Sequence, residues 1–169
     1  MNYFFLCCFF IAVPCGLHAQ GTGIQEGTVA FSFVKKNVSG TLSDFSSTSV
    51  IDWDNLENSV IEGQVASETI RTGNFLRDFS LRRSSYFDVE NYPLITFKST
   101  KIETDGENIT VNGLLTLKGI SKPITILFQK EGDTLTGSTS LFTSDFDITI
   151  LKKGRESNKV TVSFVLNLE

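Results

Sequence analysis

From Gly27 to the last residue, apolar and polar side chains alternate with a period of two. Val29, Phe31 and Phe33 share one face, against Ala30, Ser32 and Val34 on the other. The same alternation runs through 38–42, around Ile51 and Trp53, through 61–65, and at Ile95 and Phe97. It continues along 109–117, 124–128, 135–141 and 160–168. Side chains two apart share a face of an extended chain, so each stretch predicts a strand with one apolar side. Asp105-Gly106, Lys118-Gly119 and Gly132-Asp133 separate consecutive strands by short gaps, which predicts antiparallel hairpins. Pro93 and Pro123 fall at strand starts, where the missing N–H is tolerated. One segment departs from the pattern: Asn74 is placed to cap a short helix over 75–83.

About eight strands with one apolar face predict an all-β fold. The expected form is a single antiparallel eight-stranded barrel, with one short helix near its mouth. Closure removes the exposed edges that would otherwise pair with other chains. A barrel of this size is either filled by side chains or just wide enough for one small ligand.

Composition changes the picture by position rather than by total. The three Cys, the one His and the one Met of the 169 residues all lie in the first nineteen. There an uncharged apolar run, 3–15, ends in Gly16-Leu-His-Ala19. This predicts a secretory signal peptide over 1–19 and a barrel domain over 20–169, with no stable membrane span after cleavage and a periplasmic or secreted destination. The expected mature chain then holds neither Cys nor His. That excludes thiol nucleophiles, Ser-His-Asp triads and Cys/His metal or haem sites, and no metal or cofactor is expected. A net charge of −4 gives no basis for nucleic-acid binding.

The inward face predicts the site. Phe31, Phe33, Trp53, Val65, Phe97, Leu115, Ile126 and Phe164 are its expected lining. Such a wall suits a long hydrocarbon rather than a sugar or nucleotide. Gly40, Gly63, Gly113 and Gly137 fall in register with these residues, either as bends or as room for a ligand. The segment 71–83 joins Arg71, Arg77, Arg82 and Arg83 to Phe75 and Phe79. It reads either as a lid whose guanidinium forks meet a polar head group or as a solvated helix with Arg77 or Arg82 paired to Asp78 or Asp88. Asp52/Asp54 and Asp145/Asp147 stand two apart and in principle share a proton or cation, but no nucleophile accompanies them. Leu114, Leu127 and Val165 make some strands apolar on both faces, so a second subunit or the helix is expected to cover the outer wall.

Several runs resemble the YceI-like family. They are Thr72-Gly-Asn74, Arg77-Asp78, Leu81-Arg82, Phe87-Asp88-Val89, Tyr92-Pro93 and Phe97-Lys98-Ser99. Gly113-Leu-Leu-Thr-Leu-Lys-Gly119 with Lys122-Pro-Ile-Thr125 is similar, as are Ile51-Asp-Trp-Asp54 and Ser144-Asp-Phe146. The resemblance implies a lipocalin-like barrel, usually exported in bacteria and commonly dimeric. It implies binding of polyisoprenoid or quinone-type lipid, without enzymatic activity. The chain departs from the family pattern at Ser80 and Lys118, where histidines are usual, and at Thr143 and Asp147, where Arg and Gly are usual. The expected function is an exported carrier of a long apolar lipid. The alternative is a filled-barrel stress or interaction module acting through a dimer or partner surface.

Overall fold

The structure, a computed structural model, describes residues 21–169. The expected signal peptide over 1–19 therefore lies outside the described residues. The strands are β1 (Ile24–Phe33), β2 (Val38–Leu42), β3 (Ser46–Ser47), β4 (Glu62–Ala66), β5 (Leu94–Thr104), β6 (Asn108–Leu117), β7 (Ile120–Glu131), β8 (Thr134–Phe142) and β9 (Lys159–Leu168). Among the described residues one α-helix, α1 (Phe75–Leu81), lies between β4 and β5. All nine strands form one antiparallel sheet, ordered β2-β1-β9-β8-β7-β6-β5-β4-β3, curled into a half-barrel. Its two ends are tied by short bridges rather than a full ladder: Thr41 to Arg71, and Thr22 to Ile51.

The turns follow from local chemistry. Lys118 and Gly119 both have positive φ, as a two-residue type I′ hairpin between Leu117 and Ile120 requires. Gly132 supplies the single positive φ between Glu131 and Thr134. The Asn74 side chain caps α1 by accepting the Arg77 N–H at 3.0 Å.

Two details of the sheet depart from strict alternation. A bulge between Ser99 and Lys101 resets the register of β5, so Ile102 turns inward opposite Val111. Around Ile51 the period-two pattern gives isolated bridges, not a strand. The ninth strand is the two-residue β3, which pairs with β4. The β7–β8 ladder is also incomplete. Residues 127–131 pair with 134–138, but above Leu127 and Ser138 the strands separate. There the Thr139 hydroxyl alone reaches across, donating to the Thr125 carbonyl at 2.7 Å.

The core divides along the barrel axis. At the end holding the 105–107 and 132–133 turns, Ile51, Ile102, Ile109, Val111, Leu135 and Leu168 are buried together and fill the interior. At the other end lie the β1–β2 turn, the long 67–93 connection with α1, the β6–β7 turn and the 143–158 connection. We call this the upper end.

Candidate functional site

A cavity of about 560 Å³ opens at the upper end. Inward residues of β1, β4, β5, β6, β7 and β9 make its wall, including Phe31, Phe33, Val65, Phe97, Leu115, Ile126 and Phe164. Phe128 and Leu166 stand toward its filled lower end. Seven of the eight side chains expected to line a cavity thus stand on this one. Trp53 does not. It packs partly buried against the lower core, where its indole N–H donates to the Thr22 hydroxyl at 3.1 Å and Lys130 lies 5.0 Å above its ring.

The in-register glycines have a role the sequence leaves between two readings. Phe31 is the cross-strand partner of Gly40, and Phe128 that of Gly137. Each aromatic ring occupies the space a Cβ on its glycine would take, and at Gly40 the Arg71 carbonyl does so as well. Gly113 takes the Phe97 ring in the same way. These glycines leave the room that neighbouring rings fill.

The 68–82 strap frames the mouth. Asp78, only 6 % exposed, accepts the Thr72 backbone N–H at 2.8 Å and the Thr72 hydroxyl. Arg77 donates from Nε to the Thr72 hydroxyl at 2.7 Å and from its terminal nitrogen to the Thr72 carbonyl at 2.9 Å. Arg82 donates to the Ile70 carbonyl at 3.2 Å, and its buried Nε has no partner. Arg71 donates to the Ile70 carbonyl at 3.1 Å. These three arginines are therefore bonded to the strap itself, and neither Asp78 nor Asp88 forms an ion pair with them.

Of the expected lid residues, Arg77 reaches the cavity wall, together with Thr72, Ser80 and Leu81. Phe75 and Phe79 lie on the opposite, exposed face of α1, and Arg83 stacks over Phe79 at 4.3 Å. Tyr86 and Phe87 also line the cavity. The alternation argument misses them because they follow the helix in a turn.

The late carboxylates do not act as a pair. The Arg155 fork grips Asp145 at 2.8 and 2.6 Å while stacking on Phe142 at 3.7 Å. Hydrogen bonding from Arg155 holds the Asp145 carboxyl below its ordinary range, and the same contact raises Arg155. Asp147 instead meets the nearly buried Lys118 ammonium at 3.2 Å. Among the described residues, no group of three or more His, Cys, Asp or Glu is arranged to hold a metal. Among them, too, no helix is long and apolar enough to cross a membrane.

Comparison with known proteins adds a family and a fold. The model of the YceI-like domain matches residues 23–168. Protein YceI of Escherichia coli O157:H7 is 32 % identical over 87 residues, covering 52 % of this chain and 46 % of that protein. The UPF0312 protein plu2095 of Photorhabdus laumondii is 32 % identical over 94 residues, covering 56 % and 49 %. The chain thus spans about half the length of the curated relatives it matches. Among solved structures, BcnA of Burkholderia cenocepacia superposes with a TM-score of 0.73 at 20 % identity, covering 85 % of this chain and 96 % of that one. A polyisoprenoid binding domain from Saccharophagus degradans gives 0.60 at 15 % identity, covering 89 % and 98 %. At these identities the likeness is one of fold.

Proposed function

This chain belongs to the YceI-like family, and from that premise we propose that its barrel sequesters or carries a long apolar lipid of polyisoprenoid or quinone type. The observation that carries the reading is the apolar cavity closed below and open above. Each methylene moved from water into such a space contributes about 0.8 kcal/mol, so a long chain binds without specific polar contacts. In this reading a polar head group lies beside Thr72, Arg77 and Ser80, which line the cavity. The solved fold neighbour described as a polyisoprenoid binding domain supports the class of cargo. The protein acts by binding rather than by catalysis. The filled-barrel alternative suits the lower end, where side chains occupy the interior, and not the upper.

The same reading makes 1–19 a cleaved leader, 20–169 the mature domain, and the periplasm or the outside of the cell its destination. It also includes a homodimer. Leu114, Leu127 and Val165 stand exposed on the outer wall, while α1 lies at the mouth and leaves them open. A Leu127→Lys variant is expected to sediment as a monomer where the parent sediments as a dimer. A parent that is monomeric at every concentration removes the dimer from the reading.

Organic extraction of the purified protein, followed by mass spectrometry, tests the cargo. A polyisoprenoid or quinone in stoichiometric amount is expected, and Leu115→Trp, which fills the cavity, is expected to abolish loading. Clean extracts together with no uptake of added quinone would overturn the reading.

A further inference from the structure

We infer that the upper end docks on an anionic phospholipid bilayer, with the cavity mouth facing the membrane. The charges of this acidic chain are segregated along the barrel axis. Residues 34–37, 67–93, 118–122 and 143–159, which form the upper end, contain twelve of the fifteen Lys and Arg but seven of the nineteen Asp and Glu. The rest of the chain holds the other three basic and twelve acidic side chains. The overall charge of −4 therefore hides a basic mouth and a strongly acidic base. A negatively charged surface attracts the mouth and repels the base, which orients the protein as it approaches.

Exposed apolar side chains stand at the same basic end. On α1, Arg77 and Leu81 turn toward the cavity, while Phe75 and Leu76 on the outer face are 78 % and 73 % exposed. The β1–β2 turn presents Val34, 71 % exposed, directly before Lys35 and Lys36. Cations next to solvent-facing aromatic and aliphatic groups form the pattern of an interfacial anchor. The apolar groups enter the acyl boundary and the cations remain among the phosphates. These side chains project from a turn and from the outside of a helix, on either side of the cavity that Lys36 and Arg77 both line. A flat, deformable, negatively charged surface satisfies them, and contact there opens the cavity directly onto hydrocarbon.

Docking is read on the bilayer and not on the cargo, so it can fail or hold independently of the proposed lipid. The test is co-sedimentation of the protein with phosphatidylcholine vesicles, with and without phosphatidylglycerol. Two variants accompany it: Val34→Ser with Leu76→Ser, and Lys35→Glu with Lys152→Glu and Lys153→Glu. The parent is expected to bind the mixed vesicles and to be released by high salt, since such attraction is screened within roughly 10 Å at 0.1 M salt. Each variant is expected to lose roughly tenfold or more of that binding while keeping the parent's folded spectrum. Equal sedimentation with both kinds of vesicle, or variants that bind like the parent, would overturn the inference.

Discussion

At the scale of single residues, the glycines show how far one sequence can be read. Period two places Gly40, Gly113 and Gly137 on the inward face, which is correct. It does not say which neighbour occupies the space, because that depends on strand pairing between distant parts of the chain. The pairing brings Phe128 over Gly137, and the Phe128 ring also meets Phe164 at 6.0 Å between centroids. Gly137→Ala is therefore expected to destabilise the protein by about 1–3 kcal/mol through overpacking. In a Phe128→Leu background the same change is expected to cost much less, and a denaturant-unfolding double-mutant cycle measures the difference. Trp53 teaches the opposite lesson. Its alternation with Asp52 and Asp54 is real, yet the segment is a bridge-and-turn region, so the indole packs on the lower core.

At the scale of elements, the strands and the capped helix are legible because local pattern and local chemistry agree. The connections are not, because polar side chains far apart in sequence hold them. The 143–158 connection is an example. Asn158, fully buried, accepts the Ile150 and Leu151 N–H groups at 2.9 Å each and donates to the Leu151 and Gly154 carbonyls. Asn158→Ala leaves those backbone groups without partners in the interior and is expected to cost at least about 2 kcal/mol, read as a fall in Tm. The Arg155 grip on Asp145 steadies the same connection and gives it a pH dependence. The Asp145 carboxyl is depressed in the folded chain, so its contribution is present above the unfolded carboxylate value of about 3.9 and is lost as pH falls through the folded value. Asp145→Asn is thus expected to lower Tm at neutral pH and to match the parent in acid below both values. The lid shows a further limit of sequence reading. Four arginines in one segment suggest a ligand clamp, but Arg71, Arg77 and Arg82 bond the strap's own backbone and hydroxyl groups. Donor-rich side chains satisfy the nearest carbonyls first, and spacing alone cannot tell those from a head group.

At the scale of the whole molecule, the barrel is asymmetric from end to end. One half is filled and acidic at its turns, while the other is hollow and basic at its rim. A second asymmetry runs around its circumference, at the unfinished ladder between β7 and β8. β6–β7 and β8–β9 are each paired along their length, so they are two sturdy hairpins joined only in their lower part. Such a join sets the order in which the molecule breathes. Amides turned toward the gap along 122–126 and 139–142 are expected to exchange with deuterium through small local openings. Those along 127–131 and 134–138 should exchange only with larger ones. Peptide-resolved exchange that finds both sets equally slow would show the gap to be as rigid as the ladder. If the gap does open first, the wall can widen for a passing chain while its lower ladder stays intact. The barrel would then yield sideways like a slit cuff, and its girth would be adjustable without unfolding.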